Sequence, residues 1–241
     1  MTVMSILKKY LNITIENNQV DCFILILERM RLKENPTLVK KTSRFLHKAV
    51  KFERGVIIEL LSQCVDINDV YHHKTSLMLC KNPEIANILL AKNAKVNVIV
   101  GPRHYNAFLF LFSSQNLDYT NIDLHSSDEK TERLLKLAAV YLKHGANVED
   151  KDDQGRTALM RVSQHNQVEQ VLTFLLASGA NPNNQDSEGR TALHFAVSGS
   201  CHRNVELLLD YKADVNMTCH NGTSCLHLCV TAQHCVTLKA S

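Results

Sequence analysis

Seven side chains able to ligate a metal, Cys219, His220, Cys225, His227, Cys229, His234 and Cys235, fall within 17 residues near the end of the chain. Thiolates and imidazoles at such density are the donors of zinc sites. Their spacing does not suit one. Structural zinc sites draw donors in close pairs of the C-x-x-C or H-x-x-x-H kind, and here only Cys225 and Cys229 approach that pattern. Other chemistries find even less material. There is no G-x-S-x-G elbow for a nucleophile and no H-E-x-x-H pair. No Gly-rich phosphate loop occurs, and the 241 residues hold only eight glycines. The motifs therefore point to a non-enzyme with no catalytic residues, no metal and no cofactor.

The elements that must position this cluster form a repeat. Gly155-Arg156-Thr157-Ala158-Leu159-Met160, Gly189-Arg190-Thr191-Ala192-Leu193-His194 and Gly222-Thr223-Ser224-Cys225-Leu226-His227 align, with their leucines 34 and 33 residues apart. A second pattern precedes the last two, Leu175 to Asn183 and Leu208 to Asn216. Weaker copies end at Asn147-Val148, Val96-Asn97 and Ile67-Asn68. Their first-helix starts lie at Asn106-Ala107-Phe108, Thr75-Ser76-Leu77 and Arg44-Phe45-Leu46. Leu46, Leu77 and Phe108 are 31 residues apart, but Phe108 to Leu159 is 51. That unit carries about 18 residues beyond the period, most simply the polar stretch Ser113 to Asp128. We expect a loop there, leaving Leu134 to Leu142 as the second helix. Tyr10 to Leu27 reads as one more two-helix unit.

Residue chemistry fits the alignment. Thr157, Thr191 and Ser224 can cap helix starts. Gly155, Gly189 and Gly222 suit tight turns, and Gly145, Gly179 and Asn93 can end second helices. At the turn-glycine position the earlier copies have Thr42, His73 and His104, so turn fingers are not expected in that half. Cys225 and Cys229 align with Ala192 and Ala196, small positions where cysteine packs as a hydrophobe.

This pattern resembles the ankyrin repeat, whose units are a turn finger followed by two antiparallel helices. The resemblance implies an all-α solenoid of about seven helix-turn-helix units, the N-terminal ones degenerate. Its expected divisions are a capping helix pair over 1–35, degenerate repeats over 36–149 with an insertion at about 113–130, and well-formed repeats over 150–241, the last incomplete. In the family's His position stand His47, His194 and His227, which the resemblance makes structural ties between helix and turn. The resemblance also implies function by binding another protein, as an interaction module or scaffold. The contacts then come from the turn tips Gln154, Arg156, Glu188, Arg190, His220 and Asn221. Asn68 and Asn216 resemble ankyrin asparagines that undergo hydroxylation, and equally suit a turn residue bonding to the next unit.

Charge and hydropathy set the remaining bounds. Residues 1–54 hold eleven Lys and Arg against five Asp and Glu, while the whole chain is +3. Arg29, Arg31, Lys33, Lys40, Lys41, Arg44, Lys48, Lys51 and Arg54 offer an alternative function, binding nucleic acid or an anionic ligand. The lack of Trp and of interleaved aromatics favours a solvated helical face instead. Apolar runs are far shorter than the ~20 residues of a membrane span, and Asn12, Glu16, Asn17 and Asn18 interrupt any secretory signal. The eight cysteines accordingly read as reduced thiols. We expect an intracellular chain, cytoplasmic or nuclear, monomeric unless its C-terminal edge pairs. Leu207, Leu208 and Leu209, with Leu226 and Val230, are expected to be incompletely covered at that edge.

Overall fold

The computed structural model describes residues 3–30, 43–113 and 127–231. Among them thirteen helices succeed one another, and the only β pairing is in isolated bridges. The helices run in pairs: α1 (Val3–Glu16) with α2 (Val20–Met30), α3 (Ser43–Lys51) with α4 (Gly55–Ser62), and α5 (Ser76–Leu79) with α6 (Pro83–Ala91). Then follow α7 (Ala107–Leu111) with α8 (Ser127–Lys143), α9 (Ala158–Ser163) with α10 (Glu169–Ala177), α11 (Ala192–Ser198) with α12 (His202–Asp210), and α13 (Cys225–Thr231). First helices pack on first helices and second on second, as with α9 on α11 and α6 on α8. The result is a two-layered stack in which each unit buries its apolar face against its neighbours.

The aligned first-helix residues Leu46, Leu77, Phe108, Leu159 and Leu193 are all buried, whereas Leu226 in the last described helix is 49% exposed. Behind it the expectation for the C-terminal edge needs correction. Leu208 is fully buried, because it faces inward from α12, while only Leu207 and Leu209 are half-buried. The side chain of Val230 and residues 232–241 lie outside the described set.

Short helices of four to seven residues need their ends fixed, since they make few internal hydrogen bonds. Thr75 and Thr157 accept from the amides of Met78 and Met160 (both 3.4 Å), and Asn106 accepts from Leu109 at 2.8 Å. Thr191 and His194 form a reciprocal box at the start of α11. The Thr191 amide can only donate to His194 Nδ1 (3.2 Å), and the Thr223 carbonyl can only accept from Nε2 (3.3 Å). Those two partners fix a neutral tautomer, and burial lowers the pKa of this imidazole. His47 reaches across in the same way, its Nε2 lying 3.0 Å from the Lys74 carbonyl of the next finger. His227 caps locally, receiving the Ser224 amide at 3.2 Å.

Two further corrections concern the N-terminal half. Fingers form there without glycine at the position held later by Gly155 and Gly189, although Gly101 (φ 74°) lies in the second of them. His73 (φ 59°) and His104 (φ 49°) adopt the left-handed backbone that Gly155 (73°) and Gly189 (80°) take later, and the bridges Tyr71–Lys74 and Val100–Tyr105 close both hairpins. The closure of the hairpin and its packing on the next unit outweigh the roughly 1–2 kcal/mol that a left-handed non-glycine costs. Thr42 lies outside the described residues. Second, α8 begins at Ser127 rather than near Leu134, so it absorbs the end of the polar insertion. Ion pairs Glu129–Arg133 (2.8 Å) and Glu132–Lys136 (2.7 Å) at helical spacing support that extra length. Residues 114–126 of the insertion lie outside the described set.

Candidate functional site

The fingers at 152–156 and 186–190 are each built on one buried aspartate. Asp152 Oδ1 accepts the amides of Gln154 and Arg156 (both 2.9 Å), and Asp186 Oδ1 accepts those of Glu188 (2.9 Å) and Arg190 (2.8 Å). Their second oxygens take arginine: Arg156 at 3.1 Å on Asp152, Arg190 at 2.8 Å on Asp186. A buried carboxylate with two amides and a guanidinium has its lone pairs satisfied, which is what allows burial at all. Arg190 also lies over the Phe195 ring at 4.9 Å. Arg156 and Arg190 are therefore internal braces of their fingers, while Gln154, Glu188, His220 and Asn221 stand exposed at the tips.

The tips are joined into a row. The Asp153 amide donates to the Arg103 carbonyl (3.2 Å), Ser187 to Gln154 (3.0 Å) and His220 to Glu188 (2.9 Å). A Cβ on Gly155 would stand 2.9 Å from the Ser187 nitrogen, so this glycine is needed for the close approach as well as for its φ. A groove of about 430 Å³ opens between the last two fingers and the helices behind them. Glu188, Arg190, His220 and Asn221 line it with Ser187, Cys219 and Thr223, and Ser198 and Leu228 line it from α11 and α13. Four of the six tip residues named from sequence thus share one surface; Gln154 and Arg156 belong to the finger before.

A second ladder runs along the loops after the second helices. Asn68 Nδ2 donates to the Asn93 carbonyl (3.2 Å) while its Oδ1 accepts the Lys95 amide (2.7 Å). Asn183 does the same with Lys212 (3.2 Å) and Asp214 (2.8 Å), and Asn97 donates to Gly145 (2.9 Å). Every receiving carbonyl belongs to a residue with positive φ, so that kinked residue presents its oxygen to the preceding unit. Glu149 fills the same position and accepts the Asn181 amide at 2.6 Å. Asn216 is the next copy, and among the described residues its carboxamide makes no hydrogen bond.

Arg161 escaped the sequence reading. It occupies the α9 position where α7 has Phe110 and α11 has Phe195, yet is 7% exposed. It donates to Asp152 Oδ2 (2.7 Å) and to the Phe112 carbonyl (3.1 Å), and stacks over Tyr105 at 4.9 Å. It ties α9 to the end of α7 where the insertion begins. The signal available in sequence was a charge at an otherwise apolar repeat position.

Cys225 and Cys229 pack as their alignment with alanine implies, both buried, and Cys80 is buried as well. Burial pushes the thiols of Cys80 and Cys225 up to about 12, and those of Cys201 and Cys219 upward. The shift favours the protonated thiol over the thiolate in all four. His234 and Cys235 lie outside the described residues. In the basic segment, Arg54 donates to the carbonyls of Ile15 (3.2 Å) and Glu16 (2.7 Å), and Lys48 pairs with Glu16 at 2.6 Å. Arg44 lies over Phe45 at 4.8 Å. Those three dock the first helix pair or pack locally, and Arg29 and Lys51 are exposed. Arg31, Lys33, Lys40 and Lys41 lie outside the described residues. No helix among the described residues is long and apolar enough to cross a membrane.

Paired helices with turn fingers, stacked into a two-layered row, define the class as a helical-repeat protein. The family model for ankyrin repeats (3 copies) matches residues 161–239, and the stack as a whole has the ankyrin-repeat fold. The ankyrin repeat domain of Bcl-3, described as a unique member of the IkappaB protein family, superposes with a TM-score of 0.73 at 18% identity, covering 90% of this chain and 92% of that one. An ankyrin repeat domain from Acinetobacter baumannii AYE superposes with a TM-score of 0.62 at 24% identity, over 78% of this chain and 91% of that one. No curated protein matches by sequence.

Proposed function

We propose that this chain is a non-catalytic protein-interaction module that binds its partner along the row of finger tips. The observation that carries this reading is the groove between the last two fingers, where Glu188, His220 and Asn221 are exposed on a backbone locked by the finger ladder. A rigid surface of that kind loses little conformational entropy on binding. Polar tips favour a steered, specific contact over a purely apolar one. Gln154 extends the same row by one finger, and Arg156 and Arg190 hold it in shape. The proposed divisions remain 1–35 as a cap, 36–149 as divergent repeats with the insertion, and 150–241 as regular repeats. Of the two candidate asparagines, Asn68 acts as the turn residue that clips neighbouring units, and Asn216 is the one free to meet a modifying enzyme.

Site-specific photo-crosslinking tests the reading. A photoreactive residue at Glu188, His220 or Asn221 is expected to capture one discrete partner from cells. The same residue at Glu84 or Glu206, on second helices, is expected to capture none. Capture from the second-helix positions alone would overturn the assignment.

A further inference from the structure

The finger tips are not chemically uniform. Val70 (42% exposed), Tyr71 (41%) and Ile99 (62%) stand on the tips of the first two fingers, while the tips at 150–157, 184–191 and 217–224 carry no exposed large apolar side chain. Such residues gathered in one place mark a contact surface more often than residues scattered singly. The two tips adjoin, since a Cβ on Gly101 would stand 3.4 Å from that of His73. The Tyr71 ring meets His72 edge-on at 4.0 Å, which holds the phenol at the tip.

The rim around these side chains is cationic or imidazole-bearing. His72, His73, Arg103 and His104 are all exposed, and no Asp or Glu occurs from Val70 to Pro83 or from Lys95 to Tyr105. Three acids lie beside the patch. Asp69 is bonded by the Ser43 hydroxyl and by the Val70 amide (2.8 Å). Asp153 follows on the third finger, where its amide donates to the Arg103 carbonyl at 3.2 Å. The Arg103 guanidinium is influenced chiefly by Tyr105, and less by the charges of Asp153 and of Asp152, which is buried and bonded within its own finger.

We propose that the tips at 70–74 and 99–104 form a second docking surface, for an acidic peptide segment carrying aliphatic or aromatic anchors. A bare polyanion would leave Tyr71 and Ile99 facing water, and a basic segment would meet Arg103 with like charge. Only a segment with both features complements the patch. The surface is separate from the groove at the other end of the stack, and it rests on the reading that the finger row is where partners bind.

The test uses the full chain and fluorescence anisotropy with a labelled synthetic peptide alternating Asp with Leu and Phe. Binding is expected to weaken roughly tenfold when Lys replaces Asp in the peptide, and similarly when Ser replaces its Leu and Phe. Tyr71→Ser combined with Ile99→Ser, and separately Arg103→Glu, are each expected to weaken it about tenfold. These side chains are exposed, and unchanged circular dichroism verifies that the variants fold. Arg203→Glu, an equal change of charge on α12, is expected to leave binding as it was. Equal affinity for the Lys-containing peptide, tighter binding of a single-stranded RNA of similar length, or indifference to the Tyr71 and Ile99 changes would each overturn the proposal.

Discussion

Replacing Gly189 with alanine separates what a finger needs from what the row of fingers needs. At Gly189 the backbone has φ 80°, and a Cβ would fall 2.8 Å from the His220 nitrogen and 3.1 Å from the Cys219 carbonyl carbon. These are backbone atoms of the following finger, so relief requires the two fingers to part. At Gly179 φ is 93° and a Cβ meets nothing within 4 Å. Gly179→Ala should therefore cost only the left-handed strain of about 1–2 kcal/mol. Gly189→Ala carries the same strain. It also loses the His220 amide bond to Glu188 (2.9 Å), a net contribution of about 0.5–1.5 kcal/mol, together with part of the finger contact. The expected difference between the two variants is about 1–3 kcal/mol. Urea unfolding followed by helical circular dichroism measures it, comparing midpoints because repeat arrays do not always unfold in one step. Equal losses for the two variants would refute the claim that the fingers are locked to one another.

Three other outcomes follow from the contacts. Asn183→Ala, which breaks bonds to Lys212 and Asp214, should destabilise by about 1–2 kcal/mol, whereas Asn216→Ala should change the urea midpoint hardly at all. Arg161→Leu should cost about 2–4 kcal/mol, because Asp152 stays buried with one cationic partner fewer; a stability equal to the parent's would show that packing alone joins α7 to α9. Acidification should destabilise the regular repeats. Burial lowers the pKa of His194, and of His165, below the usual 6.5. The unfolded chain thus takes up their protons first, so their contribution is complete above that value and is lost as pH falls below it. Urea midpoints taken downward from neutral pH would expose a flat or opposite trend.

The regular repeats are plain in the sequence because their caps and turns use residue types with few alternatives. Gly155, Gly189 and Gly222 mark fingers, and Thr157, Thr191 and Ser224 mark helix starts. The earlier fingers are hidden because His73 and His104 are ordinary letters whose left-handed backbone is imposed by a closed hairpin and the next unit. The helix start at Ser127 is obscured for a related reason: a polar stretch reads as loop until its i, i+4 ion pairs are seen. Tip residues are the least legible. Arg156 and Arg190 look as free as Glu188, and only the geometry turns their guanidinium groups back onto Asp152 and Asp186. The asparagine ladder was half visible, since Asn68 suggested a turn residue, but its partners in the following loops are a tertiary matter.

The central claim is that binding takes place on the finger row and not on the second-helix face. Hydrogen exchange of the chain with and without a partner captured by crosslinking tests it most directly. The account predicts added protection at the tips 184–191 and 217–224, with the amides of α10 and α12 unchanged. Added protection confined to α10 and α12, with the tips exchanging as in the free chain, would contradict it.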